Sequence, residues 1–119
     1  MNEERTLAEE TGVESPIWDT IEDTHKCYNT CLKYIISNCE EKSYLFVACH
    51  NYDSIQLAKD LMEQNNITDE RVRFGQLKGF SDQLTGMLAQ QNYKVYKYLP
   101  FGPTETVMPY LIRRGQESK

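Results

Sequence analysis

Tyr44-Leu45-Phe46-Val47-Ala48, closed by the polar triplet Cys49-His50-Asn51, is the stretch on which the fold turns. Its apolar residues follow one another without alternation, which suits a strand covered on both faces. Downstream, Asp53 or Ser54 can cap a helix that carries Ile55, Leu57, Ala58, Leu61 and Met62 and ends near Asn65-Asn66. A second strand, Val72-Arg73-Phe74-Gly75-Gln76-Leu77, leads past Gly79 to a helix from about Ser81 to Gln91 with Leu84, Met87 and Leu88. A third, Lys94-Val95-Tyr96-Lys97-Tyr98, runs into the turn Pro100-Phe101-Gly102-Pro103, and a last helix carries Val107, Met108, Leu111 and Ile112. Pro109 has no N–H to give, so the regular part of that helix is expected to begin with Thr106 as its cap, or alternatively with Thr104.

Upstream of the first strand, Ile21, Tyr28, Cys31, Leu32, Ile35 and Ile36 recur at three- and four-residue steps, the period of an amphipathic helix over about Thr20 to Glu40. Residues 3 to 11 can form a further helix ending at Gly12, and Ser15-Pro16 then breaks the chain, because proline pushes the residue before it out of the α region. The order is thus helix, then strand and helix three times over, the signature of parallel strands joined by helical crossovers. Three parallel strands leave two unpaired edges, whereas parallel sheets are normally larger and covered on both faces. Either this is a small α/β protein that pairs its edges with another copy, or it is one part of a larger sheet.

Composition narrows the function classes. The 119 residues carry 13 Lys and Arg against 18 Asp and Glu, a net charge of −5. Residues 1–25 hold eight acids and one base, so they account for −7, and the remaining 94 residues are net +2. The overall acidity is a poor footprint for nucleic acid, which needs a clustered basic face. No apolar run approaches the roughly 20 residues of a membrane span, and the acidic start MNEERTLAEE is unlike a targeting peptide. Cys27, Cys31, Cys39 and Cys49 form no CxxC pair, so reduced thiols are expected rather than a disulfide framework or a metal site.

In parallel α/β proteins ligands sit beyond the carboxyl ends of the strands. Those ends carry His50 with Asn51, Gln76 with Leu77, and Tyr98, which adjacent parallel strands would bring to one rim. Each taken alone also reads as an ordinary strand or helix cap. On the last helix Tyr110 stands three residues from Arg113 and four from Arg114, so the three can share a sector. Paired guanidinium groups suit two-pronged contact with a carboxylate or phosphate. Glu117, three and four residues further on, equally allows a simple intrahelical ion-pair ladder.

The blocks Ala48-Cys49-His50-Asn51, Phe74-Gly75-Gln76-Leu77-Lys78-Gly79, Val95-Tyr96-Lys97-Tyr98-Leu99-Pro100-Phe101-Gly102-Pro103 and Pro109-Tyr110-Leu111-Ile112-Arg113-Arg114, in this order and spacing, resemble the C-terminal part of the proline dehydrogenase family. The likeness is specific over residues 44–117 and looser before them. It implies an α/β fold that is part of a (β/α)8 TIM-like barrel, about its last three strand-helix units preceded by a helix. Residues 1–19 would be an acidic N-terminal segment and residues 20–119 the C-terminal part of the barrel domain. It further implies bound FAD, oxidation of L-proline to Δ1-pyrroline-5-carboxylate by hydride transfer to the flavin, a quinone as electron acceptor, and a mitochondrial location.

By matching position, Arg113 and Arg114 would hold the substrate carboxylate, and Tyr98 and Tyr110 would line the proline pocket. His50, Asn51, Gln76, Leu77 and Glu117 would lie along the FAD, with Leu77 near the substrate as well. No general base is sought among them, since the cofactor carries the redox chemistry. The related hydroxyproline dehydrogenases share nearly all of these blocks but resemble this chain less at Tyr98, where a small hydroxyl residue leaves room for the extra hydroxyl; Tyr98 favours proline. Departures from the family pattern are Cys49, the Phe80-Ser81 pair, and Gly115, which is expected to weaken the last helix and its placement of Glu117. Such a section of barrel by itself is expected to expose its sheet edges, to offer only part of an FAD site and to lack dehydrogenase activity. It would work with the remaining barrel strands, or as a non-catalytic product that associates through its edges.

Overall fold

The computed structural model describes residues 1–117. Its elements run α1 (Asn2–Thr11), α2 (Ile21–Ser37), β1 (Leu45–Ala48), α3 (Tyr52–Gln64), β2 (Val72–Leu77), α4 (Asp82–Gln90), β3 (Val95–Tyr98) and α5 (Thr104–Glu117). This is the order expected from the periodicities, and every strand is followed by a helix. The chain divides into two compact units.

One unit comprises Met1–Tyr44 and Asn51–Thr68 and holds α1, α2 and α3. α1 stops at Gly12, which adopts the left-handed conformation (φ 67°) that a residue without Cβ enters at little cost. α2 starts at Thr20, whose hydroxyl oxygen accepts from the Asp23 N–H at 3.1 Å and so satisfies one of the donors every helix start leaves open. α2 and α3 lie against each other, with Ser54 donating to Asn29 Oδ1 at 2.7 Å across them. Leu32, Ile36, Ile55, Ala58 and Met62 are buried. The cap of α3 differs from expectation. Asn51, not Asp53 or Ser54, fills the position, its Oδ1 accepting from Asp53 N–H at 3.0 Å, which leaves Ser54 to be buried.

The other unit comprises Leu45–His50 and the chain from Asp69 on. Its sheet is parallel with order β1-β2-β3, so β2 is central. Leu45 to Ala48 stand opposite Val72 to Gly75, and Phe74 to Leu77 opposite Val95 to Tyr98. Successive side chains of a strand alternate between faces. One face therefore carries Val47, Val72, Phe74 and Gln76, all at 3% exposure or less, together with Val95 and Lys97. Phe74 is completely buried and meets the Tyr93 ring edge-on at 5.6 Å. The opposite face carries Phe46, Ala48, Gly75, Leu77, Tyr96 and Tyr98. Phe46 is 54% exposed and Tyr98 60%, so the expectation of a first strand covered on both faces holds for one face only. Sequence alone cannot say which neighbours a second face has.

α5 bears on two further expectations. It begins at Thr104, the alternative start, and not at Thr106, with Thr106 N–H and Val107 N–H both directed to Pro103 O, so Pro109 lies in its second turn. Pro103 sets the start, because it lends its carbonyl to the first turn and has no N–H of its own to satisfy. Gly115 does not end the helix, which continues to Glu117.

Candidate active site

The open face of the sheet is the floor of a concavity of about 600 Å³, lined by Phe46, Ala48, His50, Gly75, Gln76, Leu77, Tyr96, Lys97 and Tyr98. Each comes from β1, β2 or β3 or from the residues just beyond a strand, which is where parallel sheets present ligand sites. Most of the lining is apolar. Gly75 at the centre of the floor is covered by the Phe46 ring, which leans along the sheet so closely that a Cβ at Gly75 would stand 2.3 Å from it. Tyr96 meets the same ring at 6.0 Å.

At the carboxyl end of the strands the Tyr98 and Tyr110 rings stand 6.1 Å apart, joining β3 to α5. The Arg114 guanidinium lies over the Tyr110 ring at 5.3 Å and donates to Glu117 Oε1 at 2.6 Å. Tyr98, Tyr110 and Arg114 thus form a contiguous row, a cation over one aromatic ring and a second ring tilted by 60° beside it. The ring and the carboxylate together orient the guanidinium. Arg113 is exposed and enters no ion pair among the described residues. The anion-clamp and ion-pair readings of this helix meet here: Glu117 engages Arg114 and leaves Arg113 out of the ladder.

Of the other expected site residues, His50 and Leu77 border the concavity together. His50 Nδ1 lies 3.0 Å from Ser81 Oγ, and Leu77 N–H points to His50 Nε2 at 3.4 Å. Nε2 accepts, so the ring is neutral with its proton on Nδ1, donated to Ser81. Partial removal from water, and then the Lys97 ammonium, hold His50 below the ordinary imidazole value, in keeping with that state. Gln76 also borders the concavity, but its side chain is buried. Its Nε2 reaches Cys49 O at 3.4 Å and its Oε1 takes the Thr85 hydroxyl at 3.0 Å. Asn51 is the cap of α3, as described.

Residues that the strand-end argument passed over are Phe46, Tyr96, Ser81 and Lys97. Lys97 is the most informative, since the period of two puts a lysine on the covered face between two tyrosines of the open one. Its Nζ lies 2.5 Å from Phe80 O, 3.5 Å from Leu77 O and 2.7 Å from Asp82 Oδ1. Among the described residues no group of acids, histidines and cysteines is placed to hold a metal ion. No described helix is long and apolar enough to cross a membrane.

The family model for proline dehydrogenase matches residues 1–119. "Proline dehydrogenase 1, mitochondrial" of Dictyostelium discoideum is 41% identical over 121 residues, covering 98% of this chain and 21% of that protein. The human protein of the same name is 42% identical over 120 residues, covering 98% and 20%. Human hydroxyproline dehydrogenase is 37% identical over 123 residues, covering 100% and 27%. The chain therefore spans about a fifth to a quarter of the length of these relatives. Among solved structures, proline utilization A from Bdellovibrio bacteriovorus, inactivated by N-propargylglycine, superposes with a TM-score of 0.86 at 26% identity, covering 95% of this chain and 12% of that one. A parallel sheet with a helix after each strand, superposing on that structure and matched throughout by the family model, is a section of a TIM-like barrel, and the chain belongs to the proline dehydrogenase family.

Proposed function

We propose that this chain forms the part of a mitochondrial proline dehydrogenase that holds the substrate carboxylate and one wall of the flavin site. Supporting this is the Tyr98–Tyr110–Arg114 row beside an apolar sheet face, a fixed cation next to shaped aromatic walls. Arg114, oriented by Tyr110 and Glu117, and the exposed Arg113 hold the carboxylate of L-proline by charge-assisted hydrogen bonds. Tyr98 and Tyr110 confine the ring, so that the carbon that loses hydride is held in one place. Ala48, Leu77, Tyr96 and the Phe46 ring that covers Gly75 present an apolar wall with His50 at its polar border, a surface against which a flat, FAD-type ring system would lie. FAD held against this wall would supply the hydride acceptor and a quinone the final electron acceptor; L-proline becomes Δ1-pyrroline-5-carboxylate by losing that hydride from its ring carbon and a proton from its ring nitrogen to solvent. Leu77, an apolar side chain at the junction of the two sites, excludes water from the reacting atoms.

Gln76, its amide engaged by Thr85 and Cys49 and its main chain paired with β3, supports the border of the site. Glu117 acts through Arg114. The test is a chimera of Dictyostelium proline dehydrogenase 1 in which residues 44–117 of this chain replace the matching segment. It should retain flavin and reduce a quinone analogue with L-proline. Arg113→Met and Arg114→Met should each raise the proline KM by roughly tenfold or more, as loss of a charge-assisted contact of about 1.5–3 kcal/mol requires. A folded, yellow chimera whose proline KM ignores both changes would overturn the carboxylate role.

A second reading has its own observation. β1 and β3 are the outer strands of the sheet, and Phe46, Tyr96 and Tyr98 on its open face are about half exposed. Such edges and such a face pair with complementary barrel strands or with a second copy of the chain. The 119-residue chain by itself then associates and oxidises no proline. Size-exclusion chromatography with flavin absorbance decides this: a monomer that holds FAD and oxidises proline refutes it.

A further inference from the structure

We propose that Lys97 is a positioning residue for the border of the site, tying down the connection from β2 to α4 so that Ser81 and Leu77 hold His50 in one orientation and one tautomer. Lys97 borders the concavity, but its side chain lies on the covered face of the sheet, shared with Phe74 and Gln76. Its ammonium gathers Phe80 O at 2.5 Å, Leu77 O at 3.5 Å and Asp82 Oδ1 at 2.7 Å. These three groups lie just before and just after Ser81, so one cation spans the whole connection. An ammonium has three donors and no acceptor, and here all three have a carbonyl or carboxylate to meet.

Ser81 shows what the tie accomplishes. It stands at the N-cap of α4, where a serine hydroxyl ordinarily accepts from the helix N–H groups, yet it makes no such bond. Its backbone is left-handed, at φ 51° and ψ 39°, a conformation that a residue with a Cβ keeps only when its surroundings impose it. The hydroxyl is turned instead to His50 Nδ1 at 3.0 Å. The Phe80 ring meets His50 edge-on at 5.6 Å, so both neighbours in the connection bear on the imidazole. Leu77 N–H, at the other end of the Lys97 tie, points to Nε2. His50 is thus clamped from both nitrogens by groups that Lys97 holds.

The charged residues from the end of β2 to the start of α4 are Lys78 and Asp82; Lys97, on β3, bears on the imidazole, and Asp82 is paired with Lys97. In its last step, the effect on catalysis, the proposal rests on the dehydrogenase reading. Its first step does not.

Nitrogen-15 NMR of the imidazole in the 119-residue chain tests the first step. Wild type should show Nδ1 protonated, Nε2 bare, and a titration midpoint below the ordinary imidazole value. Lys97→Met should raise the midpoint and shift the proton toward Nε2, Lys97→Arg should restore both, and Ser81→Ala should lose the Nδ1–H state with Lys97 intact. An unchanged tautomer and midpoint in Lys97→Met, or in Ser81→Ala should the lysine variant fail to fold, overturns the proposal. In the chimera, Lys97→Met should lower turnover by roughly tenfold with little change in proline KM, since it disturbs orientation rather than substrate contact, and Lys97→Arg should recover it. A wild-type chimera without activity refutes the dehydrogenase reading and leaves the NMR result to decide Lys97.

Discussion

Gly75→Ala offers a test of the sheet's open face in which the magnitude follows from geometry. A Cβ on Gly75 would stand 2.3 Å and 2.6 Å from two carbons of the Phe46 ring, well inside contact distance. The backbone of β2 is fixed by ladders on both sides, so the ring must move. Phe46 is 54% exposed, and the move is open to it on the solvent side. Moving gives up the tilted contact with Tyr96, centroids 6.0 Å apart, worth about 0.5–1.5 kcal/mol. Against this, alanine gains about 0.5–1 kcal/mol over glycine within a strand.

Gly75→Ala should therefore cost up to about 1 kcal/mol in the wild-type background and be stabilising by about 0.5–1 kcal/mol when Phe46 is already alanine. The coupling between the two changes is the ring contact given up, about 0.5–1.5 kcal/mol. Urea unfolding followed by circular dichroism resolves it, because at a slope of about 1–3 kcal/mol/M a 1 kcal/mol change moves the midpoint by roughly 0.3–1 M. Additivity of the two substitutions within about 0.3 kcal/mol would refute the close approach of Phe46 to Gly75.

Asn51→Ala should cost about 0.5–2 kcal/mol, the value of a helix cap, and Asn51→Asp should keep most of it; equal stability of all three by urea titration would remove Asn51 from the cap. His50 gives a pH dependence of stability. Its folded affinity for a proton lies below the unfolded value of about 6.5, so between the two the unfolded chain binds more protons and stability rises with pH. Stability should thus fall on acidification through that window, and His50→Gln should flatten that part of the profile; a profile untouched by the substitution contradicts it. Tyr98→Ser, which removes one ring of the Tyr98–Tyr110 pair, should raise the ratio of hydroxyproline to proline turnover in the chimera by a modest factor, on the order of 10–100. A ratio that does not change would take Tyr98 out of the specificity pocket.

What the chain alone determined is the order and kind of its elements and the blocks that mark the family. Periodicity carries that information because an apolar residue every third or fourth position, or an unbroken apolar run, has few ways to be buried. Hence the second strand is found at Val72–Leu77 as expected, and α1 and α2 within a few residues of their expected bounds. Helix starts were less legible, since Asn51, Asp53 and Ser54 are all good caps and the choice depends on where the preceding strand releases the chain. The Arg113–Arg114 pair was visible as a motif, but its division of labour was not. Only the rotation of α5 decides that Arg114 lies on Tyr110 and against Glu117 while Arg113 stays out of that ion pair. Likewise Lys97 looks in sequence like one more surface charge on a strand. Tertiary structure makes it the tie for Leu77, Phe80 and Asp82, because those groups come together only when β2 and β3 pair in this register and the chain turns back into α4.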